Sequence, residues 1–304
     1  MSLAKTVAVP ASTTNLGSGF DTLGLALKLF LRVEIEESTE GESEIILQGE
    51  GAAELPAHSE NLILRVMRRV FKGEGVLLPK IHMRVLNQIP VARGLGSSAA
   101  AIVAGIGCFE ALTAKEMEPD LFFRYAFQFE NHPDNLTAAR FGGFTVSCLD
   151  EGGKITFFRS TLSPGIKILV VVPDFQLETE RARSVIPRMV SLQDAVYNIQ
   201  RSSLTVAALL NSDLHFLGES LKDRVHQPYR APLIPGFEQI LALQKEEIRG
   251  LRGICLSGAG PSILVLAESN LDQIYSRIEA IFQKHDIRSR AFQLEIDNQG
   301  RTIS

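Results

Sequence analysis

The strongest constraint on this fold is the stretch at residues 90–113, PVARGLGSSAAAIVAGIGCFEALT, in which two glycines and two serines open a long run of small apolar residues. From Ser97 onward the run predicts a helix with no polar face, and such a helix has to be buried. Its first turn carries unpaired N–H groups and the positive end of the helix dipole, while Gly94 and Gly96 let a ligand approach the backbone closely. Three readings fit these residues: a cradle for an anion, a dinucleotide turn, and a plain glycine turn that lets the helix pack. A Walker loop is excluded, because GxxxxGK followed by Ser or Thr needs a lysine that this stretch lacks. Gly94-Leu95-Gly96-Ser97-Ser98-Ala99 does match the degenerate G-x-G-x-x-A pattern. Against that match, Pro90 and Arg93 interrupt the strand that should abut the first glycine.

The rest of the chain supplies elements of both periods. Leu31, Val33 and Ile35 alternate with charged residues and predict a strand, with Ser43 to Leu47 pairing beside it across a polar Glu/Gly turn. Ile63, Val66, Met67, Val70 and Phe71 fall on one helical face, and Ile81, Met83 and Val85 predict the strand that leads into the glycine loop. A further helix carries Leu121, Phe122, Tyr125, Ala126 and Phe129 and ends at Pro133. The apolar Phe144 to Val146 predicts a strand, and residues 150–165 are polar and rich in Gly and Ser. The stretch 166–172, apolar but for Lys167, predicts a buried strand and starts a second unit containing a helix over 192–210, a proline-rich loop, a helix near 237–248, strands at 253–256 and 263–266, a helix through Ile274 and Ile281, and a last alternating strand at 292–297. Strands and helices mix without a regular βαβ period, which predicts an α+β protein rather than a doubly wound sheet. The boundary falls at the polar stretch, giving domains at 1–155 and 156–304.

With 304 residues and 45% hydrophobic content the chain can fill a substantial core. A net charge of −4 without a basic run predicts no nucleic acid and no membrane among its partners, which leaves small molecules or further copies of itself, a homodimer included. No apolar run reaches the roughly 18 residues of a membrane span, so a cytoplasmic location is expected. Cys108, Cys148 and Cys255 are far apart and odd in number, which reads as three reduced core thiols and not as a disulfide framework.

Three more clusters carry chemistry-bearing residues. VPASTTNLGSGFDTLG, residues 9–24, suits a loop around a polar ligand, with Asn15 and Asp21 supplying donor, acceptor and charge; an Asx-turn loop is the alternative. ENHPDN, residues 130–135, brings Glu130, His132 and Asp134 together. Zinc lacks a second His or Cys partner here, magnesium needs only one or two protein oxygens beside phosphate, and capping of the preceding helix by Asn131 and His132 is the competing reading. SGAGPS, residues 257–262, is a glycine-rich connection between two strands. Arg183 and Arg230 stand apart in TERARSVIP and VHQPYRAPLIP, where either can hold a carboxylate through two parallel hydrogen bonds or lie solvated on the surface.

In this order, VPASTTNLGSGFDTLGLAL, PVARGLGSSAA, ENHPDNLTAARFGG and GICLSGAGPS closely resemble the GHMP small-molecule kinases over nearly the whole chain, and the first and third blocks with the arginine segments resemble the homoserine kinase branch. The resemblance implies an α+β protein with a ribosomal protein S5 domain 2-like N-terminal domain, a ferredoxin-like C-terminal domain and the site between them. It implies that Pro90, Val91, Ala92, Arg93, Gly94, Leu95, Gly96, Ser97, Ser98, Ala99 and Ala100 wrap the ATP phosphates, that Asn61 contacts adenine, and that Ser97 and Glu130 hold Mg2+. It places Arg183 and Arg230 on the carboxylate of L-homoserine, with Asn15, Asp21, His132, Asp134 and Asn135 lining the rest of the amino-acid site. The implied reaction is transfer of the γ-phosphoryl group of ATP to the homoserine hydroxyl. Several superfamily relatives place an aspartate base where this chain has Asn135, so the expectation is catalysis without a dedicated base, Asp134 being the fallback. The chain departs from the usual pattern at Asn131, where glycine is common, and at Glu178, where serine is frequent. Readings that remain beside this one are a GHMP kinase for another alcohol, a binding module on the same fold without catalysis, and a Rossmann dehydrogenase.

Overall fold

The computed structural model describes residues 4–38, 43–162 and 165–304. Strand β1 (Lys5–Thr14) pairs antiparallel with β2 (Leu23–Glu37), and β3 (Glu44–Gly49) and β4 (Ile81–Asn87) complete one side of the first sheet, in the order β1-β2-β4-β3. Ser43 to Leu47 was expected beside β2, but β3 runs parallel to β4 instead. The reason is burial: β4 alternates cleanly between buried and exposed residues and takes the inner place on β2, whereas β3 buries little and sits at the edge. The turn expected at 39–42 lies outside the described residues.

Helix α1 (Leu62–Gly73) joins β3 to β4 and buries Ile63, Leu64, Val66, Met67, Val70 and Phe71. Burying six such side chains contributes on the order of 10 kcal/mol before entropy is counted. Helix α2 (Ser97–Thr113) is the buried helix that its composition requires, with Ala99, Ala100 and the run Ile102 to Glu110 all inaccessible. Helices α3 (Pro119–Ala126) and α4 (Pro133–Phe141) follow. Pro133 therefore does not break a helix; it occupies the first turn of the next one, where its missing N–H costs nothing. His132 is the N-cap residue of α4, not the cap of the helix before.

Strand β5 (Phe144–Leu149) pairs with the start of β2, at Leu23–Leu25, and β6 (Ile155–Ser160) pairs with β5. Residues 155–160, read from sequence as part of a polar linker, thus extend the first sheet. Cys148 is exposed on β5, because this hairpin runs past the core, while Cys108 and Cys255 are buried as expected. The second sheet begins with β7 (Lys167–Pro173), and the crossover between sheets lies after Ser160. A division at 155/156 would separate β6 from its partner. Helices α5 (Thr179–Ser184), α6 (Leu192–Leu210), α7 (Leu217–Ser220), α8 (Gln227–Arg230) and α9 (Phe237–Ala242) lead to β8 (Leu251–Leu256), β9 (Ile263–Ala267), α10 (Leu271–Gln283) and β10 (Ser289–Leu294). The four strands are antiparallel in the order β10-β7-β9-β8, which is the ferredoxin-like arrangement. Strand β11 (Thr302–Ile303) returns to the first sheet beside β1.

Strands β7 and β9 are covered on both faces. Leu169, Val171, Ile263 and Val265 pack against α9 and α10 in one core, while Ile168, Val170, Val172, Leu264 and Leu266 join the core of the first sheet. That double burial explains the unbroken apolar run at 168–172. No helix among the described residues is long and apolar enough to cross a membrane.

Candidate active site

Between the two sheets lies a cavity of about 650 Å³. Its walls come from the loop after β1, the glycine loop, the start of α4, helix α5, the end of α8 and the turn between β8 and β9. Of the residues singled out from sequence, Asn15, Asp21, Asn61, Val91 to Ala99, Glu130, His132, Asp134, Asn135, Arg183 and Arg230 line it. Pro90 and Ala100 do not; both are buried behind the loop.

The glycine loop is held in an unusual backbone path. Ala92, Gly94 and Gly96 all have positive φ, and Gly96 forms the left-handed N-cap of α2 without a side-chain capping bond. The first N–H groups of α2 are therefore left for a ligand, which is the arrangement that binds an anion. Neighbours from both sheets fix the loop: Ser12 N–H donates to Leu95 O (3.1 Å), Leu177 N–H to Ala92 O (3.1 Å), and the Ser257 hydroxyl to Gly94 O (2.7 Å). The SGAGPS turn thus buttresses the loop from beneath, so closely that a Cβ on Gly94 would lie 2.2 Å from Ser257 O. Arg93 turns away from the helix end and donates to Pro173 O and Val91 O at 3.1 Å each. Burial, partly opposed by nearby Asp174, holds its pKa below the ordinary arginine value.

A set of charged side chains also lines the cavity, next to the β8–β9 turn that buttresses the glycine loop. Arg183 on α5 pairs with Asp21 through two parallel hydrogen bonds, 3.1 and 2.6 Å. Arg230 at the end of α8 is almost fully buried, and burial together with the neighbouring Arg183 lowers its pKa to about 10. Asn15 donates to Gly258 O (2.8 Å) and accepts from Asp21 N–H (3.0 Å), tying the loop after β1 to the β8–β9 turn. The block at 9–24 is accordingly less loop than its composition suggests. Val9 to Thr14 belong to β1, where the backbone pairs with β2, the Ser12 hydroxyl donates to Asn135, and the Thr13 and Thr14 hydroxyls accept from Ser257 and Asn135.

Glu130, His132, Asp134 and Asn135 do share one site, delivered by the turn into α4. The Glu130 carboxylate lies 2.7 Å from His132 Nδ1 and accepts from His132 N–H (3.2 Å). Burial pushes Glu130 up, but these contacts and the Asn131 N–H outweigh it and leave the carboxyl below its ordinary pKa. Asp134 accepts from Asn135 N–H (2.8 Å); burial first and the Asp21 charge second raise it from 3.8 to about 6. The Asn135 amide is spent at both ends, accepting from Ser12 (2.9 Å) and donating to Thr14 (3.2 Å). Asn61 caps α1, accepting from Ile63 N–H (3.0 Å) and donating to Pro56 O (2.9 Å), and this places it at the apolar end of the cavity near Leu47, Leu55 and Val91.

Sequence reasoning passed over Ser12, Thr14, Phe20, His226 and Ser257 as site residues. Ser12, Thr14 and Phe20 were read as loop composition, Ser257 as part of a glycine-rich connection, and His226 only as a neighbour of Arg230 in VHQPYRAPLIP. Among the described residues no group of three or more His, Cys, Asp or Glu is placed to hold a metal ion. Ser97 and Glu130 remain as oxygen donors on the same wall system.

Comparison with known proteins matches the family model of the GHMP kinases N terminal domain to residues 61–143 and that of the GHMP kinases C terminal region to 205–284. The chain is 40% identical to the homoserine kinase of Persephonella marina over 98% of this chain and 97% of that protein. It is 41% identical to the homoserine kinase of Aquifex aeolicus, over 91% and 92%. The crystal structure of homoserine kinase from Cytophaga hutchinsonii superposes with a TM-score of 0.86 at 26% identity, covering 100% of this chain and 98% of that one.

Proposed function

The chain belongs to the GHMP kinases and, within them, to the homoserine kinases, and from that membership we propose how its cleft divides the work. The reaction moves the γ-phosphoryl group of ATP to the side-chain hydroxyl of L-homoserine, leaving ADP and O-phospho-L-homoserine, a step of threonine biosynthesis. The observation that carries the assignment of roles is the make-up of the cavity wall, which joins an uncapped helix N-terminus to the Asp21, Arg183 and Arg230 set. The first suits polyphosphate and the second a zwitterion.

In this reading the backbone N–H groups of Gly94 to Ala99 cradle the phosphates, with no lysine taking part. The adenine lies toward Asn61, Leu47 and Val91, whose side chains offer apolar surface beside the capped end of α1. Arg230 and Arg183 face the substrate carboxylate, and Asp21 faces its ammonium, so the amino acid takes over charges that Asp21 and Arg183 otherwise satisfy in each other. Ser97 and Glu130 fit a magnesium ion, since a neutral hydroxyl and one carboxylate suffice beside phosphate oxygens. Bound there, magnesium neutralises charge on the transferring phosphoryl group. Asn135 is a brace between α4 and β1 and accepts no proton, which supports catalysis by positioning and charge stabilisation without a dedicated base. Asp134 is the fallback for that role.

ADP release measured with homoserine, serine, mevalonate and galactose, each with and without magnesium, tests the reading. Magnesium-dependent turnover of homoserine alone is expected; turnover of mevalonate or galactose in its place would refute it.

A further inference from the structure

Arg230 is held by three acceptors. Its Nε donates to Ala182 O (3.1 Å), and its Nη1 lies 3.1 Å from Gly258 O and 3.0 Å from Nδ1 of His226. A guanidinium has only donors, so Nδ1 of His226 must be an unprotonated acceptor. The other ring nitrogen gives the same answer independently. Nε2 lies 2.7 Å from Gly17 O, a carbonyl that only accepts, so Nε2 carries the proton. Both ends of the ring specify one neutral tautomer.

The surroundings enforce it. His226 is fully buried, with the Asp223 carboxylate 3.6 Å from Nε2 and the ring of Phe20 stacked on it at 5.2 Å. Phe20 also lies under the guanidinium groups of Arg230 and Arg183, at 5.5 and 5.4 Å. Gly17 presents its carbonyl from a left-handed turn pressed so tightly on Leu221 that a Cβ would lie 1.9 Å from Leu221 O. Burial, with Arg230 adding to it and Asp223 and Asp21 opposing it, keeps the imidazole pKa below its ordinary value. Three of the five guanidinium N–H groups are thereby committed to Ala182, Gly258 and His226, and the two on Nη2 are left for the cavity that Arg230 lines.

We infer that His226 is a positioning residue for substrate recognition: as the neutral Nε2–H tautomer it anchors on the loop carbonyl of Gly17 and orients Arg230, so that both Nη2 N–H groups face the carboxylate of the amino-acid substrate. This rests on the proposed placement of the substrate carboxylate at Arg230. His226 touches neither reactant and acts only through the arginine.

The test compares homoserine with its decarboxylated analogue 3-aminopropan-1-ol in the wild type and in His226→Leu, His226→Asn and Arg230→Ala. Removing the acceptor in His226→Leu is expected to raise KM for homoserine about 10- to 100-fold while kcat and KM for ATP move little, because a buried charged donor loses its partner. The analogue, lacking the carboxylate, is expected to be affected less than about threefold. His226→Asn places an amide oxygen near the Nδ1 position and is expected to recover most of the homoserine KM. Unchanged ATP KM reports that the variants are folded. If Arg230→Ala lowers the preference for homoserine over the analogue and His226→Leu leaves it intact, the role of His226 is overturned while the placement of the carboxylate stands. If Arg230→Ala leaves that preference intact, the placement itself fails. In a 15N-labelled protein, the His226 ring is expected to show the neutral Nε2–H signature at pH about 6.5, where a free imidazole is half protonated; a doubly protonated ring there would overturn the inference as well.

Discussion

Replacing Asp134 by asparagine is expected to make the protein more stable and a poorer enzyme at once. Asp134 is 2% exposed, and its carboxyl titrates at about 6 in place of 3.8, chiefly because burial disfavours the charge and next because Asp21 repels it. A folded-state pKa above the unfolded value means that the native state prefers the protonated form. Below pH 3.8 the group is protonated in both states and costs nothing; between 3.8 and about 6 the unfolded chain ionises first and stability declines; above that the penalty is constant. At 1.36 kcal/mol per pKa unit, a shift from 3.8 to about 6 makes the plateau roughly 3 kcal/mol. Asparagine keeps an oxygen for the Asn135 N–H and cannot ionise, so Asp134→Asn is expected to gain up to roughly 3 kcal/mol at pH 7.5, with the gain shrinking as the pH falls toward 4. Urea unfolding of both proteins across this range measures it. An Asn variant no more stable than the parent at pH 7.5, or a gain independent of pH, would refute the reasoning. Turnover decides the other half: a fall of a few-fold with homoserine still bound removes Asp134 as a base, whereas a loss of about 10³ or more would restore it.

Gly94→Ala forces a side chain into positive φ and to within 2.2 Å of Ser257 O. The left-handed strain alone is about 1–2 kcal/mol, and the loop has to move off the β8–β9 turn. An increase in KM for ATP of about tenfold or more is expected, with KM for homoserine less affected; initial rates over an ATP series measure this, and an unchanged ATP KM would count against the loop as the phosphate cradle. Glu130→Gln removes the carboxylate that His132 holds below its ordinary pKa. The magnesium concentration for half-maximal activity is expected to rise about tenfold, and a magnesium titration with no shift would exclude Glu130 as a ligand.

The helix at 97–113 and the two-faced strand at 167–173 were legible because their composition leaves few alternatives. A run of Ala, Gly, Ile and Val without a polar face has to be buried, and α2 and β7 are. The strand β6 was not legible, because its short ITFFRS segment follows a glycine-rich polar turn and its burial depends on β5 beside it. The placement of β3 was missed for a similar reason. Alternation announces a strand but not its neighbour, and competition with β4 for the inner place settles that.

For the site, the order of four short motifs along the chain was enough to indicate the family and most of the residues that line the cavity, because a left-handed loop packed at a helix N-terminus needs particular small residues at particular places. Tertiary structure alone decided how those side chains are used. It directs Arg93 to carbonyl groups, makes Asn135 a brace, joins Asp21 to Arg183 across the cleft, and sets His226 between Gly17 and Arg230, which are far apart in the chain. Local sequence specifies which atoms are available to donate or accept. Which of them face each other, and which protons they must therefore carry, follows from two sheets closing on one cavity.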